Sequence, residues 1–223
     1  MNQNDLRPAG DFARMFGVKS LVYGPPGSGK TPLLNTAPRP VLLACESGML
    51  SMRGSQVPTW QTGDNPARID EFFKWFMDSK EAKNFDTLGI DSVAEMASIY
   101  LRDAKHRYAD GRKQYGIMYD KVTAHLTNVY YMPQKHVYAI CKQGRVEGGA
   151  GVMPLFPGQA LNSEIPHQYD FILHLDIKNI PNAGQHKAFQ TQTSIDVMAR
   201  HRTGNLDFFE PPDLSKLFAK AMA

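Results

Sequence analysis

The chain has 223 residues, 42% of them hydrophobic, 21% charged and 10% aromatic, with a formal net charge of +3. A chain of this length buries a full core without staples, and the composition excludes a wholly disordered, collagen-like or coiled-coil chain. No apolar run approaches the roughly 18 residues a membrane helix needs. The first residues lack the shape of a signal peptide, so the expected setting is the cytoplasm with no membrane partner. Cys45 and Cys141 sit inside apolar runs. They read as reduced core thiols, since two cysteines make neither a disulfide framework nor a four-ligand zinc site.

Residues 1–17 read as a polar N-terminal arm with a short helical turn, and 18–223 as one α/β domain. Residues 18–23 (VKSLVY) are a buried strand that ends at a glycine-rich turn. A helix is expected to open over 30–36 and to stop at Pro38–Pro40. RPVLLACE (39–46) is a second buried strand, being short and continuously apolar. A loop-rich stretch follows, with a short strand near 55–60. Ile69, Phe72, Phe73 and Phe76 fall at i, i+3, i+4 and i+7, one stripe of an amphipathic helix. FDTLGID (85–91) is a strand, and helices are expected over 92–108 and 115–131. KHVYAICK (135–142) is a strand, followed by a glycine- and proline-rich loop over 144–168. Strands at 169–175 and 187–199 flank a turn at 181–184, and Asp213 caps a last helix carrying Leu214, Leu217 and Phe218. Alternating strands and helices predict a mostly parallel central sheet flanked by helices, with a C-terminal antiparallel hairpin.

Gly24-Pro25-Pro26-Gly27-Ser28-Gly29-Lys30-Thr31 matches G-x-x-x-x-G-K-[ST] in full. The glycines let successive backbone amides point at phosphate oxygens, Lys30 places a point charge on the β- and γ-phosphates, and Thr31 offers a hydroxyl to Mg²⁺. The expected helix adds its positive end. Pro32 is tolerated in a first helical turn, where its missing N–H costs nothing. The loop follows an apolar strand, the context the motif requires. ATP and Mg²⁺ are the cofactors it calls for.

A nucleotide hydrolase also needs a carboxylate at a neighbouring strand end for the metal. Asp91 closes FDTLGID, and doubles as a helix cap. The residue after it is Ser92, so a base must come from elsewhere. Glu46, after VLLAC, fits that role, or is a solvated loop glutamate. Gln143, after KHVYAICK, is a candidate γ-phosphate sensor that would pass the signal to the next loop, or a solvated loop residue.

In this order the motifs resemble the RecA-type P-loop ATPase core. They are most similar to compact phage proteins of that superfamily: the single-strand annealing proteins of the Sak group and related phage AAA-domain ATP-binding proteins. The similarity spans about residues 18–207. It implies a RecA-like P-loop NTPase fold, Asp91 as the Walker B acid, Glu46 as catalytic glutamate and Gln143 as γ-phosphate switch. It also implies annealing or recombination on single-stranded DNA in a bacterial host's cytoplasm, with a single-strand DNA-binding protein as a further partner. Arg200-His201-Arg202-Thr203-Gly204 resembles the K-x-R-x-G element of hexameric helicases, with Arg200 in place of lysine. That resemblance implies that Arg200 and Arg202 reach the γ-phosphate held by a neighbouring subunit, in a ring or filament of identical copies.

Residues 102–121 hold six Lys/Arg against three Asp, an excess equal to that of the whole chain. Arg102, Lys105, Arg107, Arg112 and Lys113 interleave with Tyr108, Tyr115 and Tyr119. Basic groups neutralise phosphates and aromatic faces stack unpaired bases, although a solvated helix hairpin has the same composition. Arg145, in the 144–165 loop, is a second candidate DNA contact. The expected function is an oligomeric, DNA-stimulated ATPase. The alternatives are a P-loop kinase of a nucleotide or small molecule, with 102–121 as its lid, and an ATP-switched DNA-binding protein without turnover.

Overall fold

The computed structural model describes residues 8–146 and 148–223. The first seven residues of the expected arm, and Glu147 of the expected 144–168 loop, lie outside the described residues. Ten strands form the sheet: β1 (Lys19–Tyr23), β2 (Pro40–Ala44), β3 (Thr59–Gln61), β4 (Thr87–Asp91), β5 (His136–Arg145), β6 (Val152–Leu155), β7 (Phe171–Ile180), β8 (Gly184–Gln190), β9 (Arg200–His201) and β10 (Phe209–Glu210). Its main path runs β10-β8-β7-β1-β5-β4-β2-β3. The six strands from β7 to β3 are parallel. The β7–β8, β8–β10, β5–β6 and β7–β9 pairs are antiparallel. The protein is therefore an α/β chain with a mostly parallel sheet and a C-terminal antiparallel hairpin, as its alternating pattern predicts.

Among the described residues the α-helices are α1 (Ala9–Met15), α2 (Pro66–Asp78), α3 (Val93–Arg107), α4 (Gly111–Tyr130), α5 (Gln159–Glu164) and α6 (Leu214–Met222). Ile69, Phe72, Phe73 and Phe76 of α2 are buried, as their spacing requires. With α3 and α4 they cover one face of the sheet, over Leu21, Leu43, Leu88, Ile90 and Ala139. The other face packs Leu33, Leu34 and the α6 residues Leu214, Leu217 and Phe218 against Val22, Leu42, Leu173 and Leu175. Side-chain caps set the starts: Asn65 accepts from the Ala67 amide, Ser92 from Glu95, Asp110 from Arg112 and Asp213 from Lys216. The Asp110 cap is why α4 begins before residue 115.

Three local readings are corrected. After the phosphate loop there is no α-helix over 30–36, only a 3-10 turn at Pro32–Thr36. Pro32 cannot donate to the ladder, the Asn35 and Thr36 side chains bond back to the carbonyls of Pro32 and Leu33, and Pro38 and Pro40 block continuation. The 144–168 stretch is largely ordered: β5 runs on to Arg145 and returns as β6, with α5 following. Gly144 permits this, because a Cβ there would stand 2.9 Å from the Leu155 Cβ. The strand expected over 187–199 stops at Gln190. Its side-chain amide there binds the Gln192 carbonyl and the Ser194 hydroxyl, so the chain turns away before returning as β9.

Replacing Phe73, fully buried and stacked on His125 at 4.2 Å between centroids, by alanine is expected to cost about 3–5 kcal/mol of unfolding free energy. Met77→Ala, on the exposed side of the same helix, should cost under about 0.5 kcal/mol. Urea unfolding of the two variants checks the assignment of the buried stripe.

Candidate nucleotide site

Strand register alone brings the site together. Tyr23 pairs with Cys141, Ile140 with Asp91, and Asp91 with Ala44. The residues just beyond those positions, Gly24, Gln143 and Glu46, therefore share one edge of the sheet with Asp91. This edge is formed by the carboxyl ends of the parallel strands, where α/β folds bind ligands. A cleft of ≈ 680 Å³ opens there, lined by Gly24, Pro26, Gly27, Gly29, Lys30, Thr31, Pro32, Glu46, Asp91, Ser92, Lys142 and Gln143, among others.

The loop is held at both ends. Gly24 packs so closely on β7 that a Cβ would stand 2.2 Å from the Leu175 carbonyl oxygen. Gly27 and Gly29 adopt φ of 77° and 87°, a region that strains other residues. The Pro25 carbonyl accepts from the Ser28 amide at 3.2 Å. Lys30 Nζ donates to the carbonyls of Gly24 and Pro25 at 2.8 and 2.9 Å, and contacts Ser28 Oγ at 3.3 Å. Burial lowers its pKa, while Asp91 and Glu46 raise it. The Tyr138 hydroxyl, rising from β5, donates to the Lys30 carbonyl at 2.8 Å. Nothing in the run VYAIC marks that tyrosine as special.

Thr31 Oγ1 donates to Asp91 Oδ2 at 2.6 Å. Burial raises the Asp91 pKa, the Thr31 bond lowers it, Glu46 nearby raises it and Lys30 lowers it. A buried carboxylate and a hydroxyl, both hard oxygen donors in a cleft, fit a small divalent cation such as Mg²⁺. The backbone amides of Cys45 and Glu46 both donate to the Asp91 carbonyl, at 2.7 and 3.1 Å. Ser92 Oγ donates to Glu46 Oε1 at 2.6 Å. Ser92, set aside in the sequence because it is not a glutamate, is thus the residue that orients Glu46.

Gln143 faces inward along the sheet. Its Oε1 lies 2.9 Å from His174 Nε2, and Lys178 Nζ lies 2.6 Å from His174 Nδ1. An ammonium donating to Nδ1 leaves the proton on Nε2, so the imidazole donates to Gln143. The order is Lys178, His174, Gln143. Burial, with the Lys178 charge beside it, pushes the His174 pKa down to about 4, and the Tyr23 ring lies tilted against it, 4.9 Å between centroids. The one signal in the sequence was a histidine inside the apolar strand FILHL.

Arg200 and Arg202 are not brought to this edge. Arg200 pairs with Ile172 near the start of β7, at the opposite end of the sheet. Its guanidinium donates to the carbonyls of Pro166 at 2.6 Å and Tyr169 at 3.3 Å. Arg202 donates to the His167 carbonyl at 2.7 Å, the Tyr130 hydroxyl at 3.1 Å and Asp170 at 3.4 Å. The basic segment is divided. Arg102 is tied to Asp64 and Glu95, and Arg107 to Asp103. Lys113 lies over the Tyr108 ring. Lys105, Arg112 and Arg145 are exposed. The start of α4 meets the segment after β6, for a Cβ on Gly158 would stand 3.1 Å from Tyr115, so the two candidate nucleic-acid segments are neighbours.

A phosphate loop at the carboxyl edge of a parallel sheet, with a buried aspartate on its threonine and a glutamate one strand further, defines a P-loop ATPase core. The chain belongs to the AAA domain family, whose profile matches residues 17–203. No curated protein matches it in sequence. Among solved structures it is similar to a KaiC-like protein from the hyperthermophilic archaeon Pyrococcus horikoshii OT3, with 14% identity and a TM-score of 0.46, covering 83% of this chain and 82% of that one. It is also similar to the flagellar accessory protein FlaH from Methanocaldococcus jannaschii, with 10% identity and a TM-score of 0.38, covering 79% and 78%. Among the described residues no helix is long and apolar enough to cross a membrane.

Two buried histidines, His174 at the site and His136 at the start of β5, carry a stability prediction. His174 and His136 are both held neutral, with pKa values near 4 against an ordinary 6.5, chiefly by burial. Between those values the unfolded chain binds more protons than the folded one. Their contribution is complete above pH 6.5 and drains as the pH falls toward 4. Urea midpoints should drop over that window, and His174→Gln should flatten the slope. An unchanged slope would remove His174 from the account.

Proposed function

We propose that this chain is a Mg²⁺-dependent ATPase that assembles into a homo-oligomer and acts on single-stranded DNA. The observation that carries the hydrolytic part is the register placing Lys30, Thr31, Asp91, Glu46 and Gln143 around one cleft. Loop amides and Lys30 bind the triphosphate, Lys30 exchanging its two carbonyl partners for phosphate oxygens. Thr31 and Asp91 would hold Mg²⁺, which when bound neutralises phosphate charge. Glu46, steadied by Ser92, orients the attacking water and takes its proton. Gln143 presents its amide to the terminal phosphate and reports through His174 to β7, rather than only to the next loop.

The DNA part rests on Lys105, Arg112 and Arg145, all exposed, and on the half-exposed ring of Tyr115, in two segments that meet at Gly158 and Tyr115. Lys113, over the Tyr108 ring, and Arg102 and Arg107, held in their ion pairs, belong to the same proposal. Annealing or recombination of phage type is the expected use. Arg200 and Arg202 belong to the proposal as residues acting on a neighbouring copy. Their far position is compatible with action on a neighbouring copy, and the Arg202 side chain is 43% exposed.

Lys30→Ala should abolish ATP binding. Glu46→Gln should bind ATP as the wild type does while turnover falls about 10²–10⁴-fold; wild-type turnover would remove Glu46 as the base. Single-stranded DNA should speed hydrolysis at low salt and lose that effect as salt rises. A kinase would instead respond to an acceptor and ignore DNA. Arg202→Ala should stall turnover without loss of ATP binding, and mixing it with Lys30→Ala subunits should restore part of the activity. No recovery would count against action in trans.

A further inference from the structure

The β7–β8 hairpin touches the phosphate loop at a second point. A Cβ built on Gly29 would stand 2.8 Å from Lys187 Nζ, so this ammonium lies against the loop backbone. Lys187 is exposed and sits on β8 opposite Ile177. It has no ion pair or hydrogen bond among the described residues. The other cations around the cleft are engaged: Lys30 on loop carbonyls, Lys178 on His174 and Lys142 on Glu95. The strand that carries Lys187 is anchored to the loop. Gly24 locks β7 against the start of the loop, and β8 is held to β7 from His174 to Ile180.

The loop has a need that this charge meets. Most phosphate loops continue into a helix whose aligned dipoles add about half a positive charge at the phosphates. Here only the five residues of a 3-10 turn follow, and that contribution is curtailed. An ammonium beside Gly29 supplies positive potential at the same place.

We propose that Lys187 is a second phosphate-binding cation, supplied by the hairpin of the same chain, that contacts the polyphosphate of a nucleotide held in the loop. The proposal rests on the reading of residues 24–31 as the ATP site. It predicts that polyphosphate affinity depends on two lysines from separate segments.

Calorimetric titration of Mg·ATP and Mg·ADP into wild type, Lys187→Gln, Lys187→Arg and Lys30→Ala, at low and moderate salt, tests it. Lys187→Gln should weaken both nucleotides about tenfold, the scale of one charge-assisted contact, with a shallower salt dependence. Lys187→Arg should stay within about threefold of wild type, because it keeps the charge. The melting midpoint of the free Lys187→Gln protein should not move, since the side chain is exposed. Lys187→Gln binding both nucleotides like wild type, while Lys30→Ala does not, overturns the proposal and leaves the loop assignment intact. An affinity loss matched by a lowered melting midpoint, or not rescued by arginine, also overturns it. Wild-type protein that binds neither nucleotide removes the loop assignment and this proposal together.

Discussion

Asp91 is where the phosphate loop and the rest of the sheet edge are fastened to one another. Its carboxylate takes the Thr31 hydroxyl, and its carbonyl takes the amides of both Cys45 and Glu46. One residue thereby fixes the distance between the loop after β1 and the strand end of β2, although β5 and β4 lie between those strands. The arrangement depends on burial. In water these hydrogen bonds would exchange with solvent at little net gain; in a site this enclosed each unmade partner is costly. The packing of Ile90 and Leu88 below, and of Leu34 against Gly89, keeps water from loosening that joint.

The same burial sets the charges. Two carboxylates, Asp91 and Glu46, share the cleft with the Lys30 ammonium. Burial opposes charge on Asp91 and on Lys30, and each offsets part of the other's cost. A free protein in this condition is short of positive charge once a triphosphate enters, which is the condition a divalent cation and a further ammonium relieve. Cys45 and Cys141 lie at this edge, and the Cys141 thiol donates to the Leu155 carbonyl. Burial pushes the thiol of Cys141 up to about 12 and that of Cys45 higher still, so both stay protonated as the apolar runs around them suggest.

Much of this was legible in the sequence because it is written in local pattern. The α2 stripe, the apolar strands and GPPGSGKT each depend on neighbours a few residues away. Asp91 and Glu46 could be found because a strand end is also a local feature. What could not be read was decided across the sheet. The 3-10 turn after Thr31 results from Pro32 and from side chains that cap their own turn. Gln190 stops β8 by bonding to residues beyond the strand. Arg200 and Arg202 lie far from their own loop because β9 returns to the beginning of β7, a pairing no periodicity announces.

The partner of Gln143 follows from the same kind of long-range pairing. β5 carries Gln143 past the edge of the sheet, and β7 carries His174 to the position beside Tyr23, opposite in the register. With β1 as spacer, the two side chains meet across it at 2.9 Å. His174 is buried and neutral, so it transmits a hydrogen bond and not a charge. Rotation of the Gln143 amide toward a phosphate would leave the Nε2–H without an acceptor in a place closed to water, and an unpaired buried donor costs about 1–3 kcal/mol. That cost falls on the hairpin, because Lys178 fixes the other side of the ring. In the proposed sensor role of Gln143, a change at the terminal phosphate would reach β7 through the Gln143–His174 and His174–Lys178 hydrogen bonds, without any helix having to move.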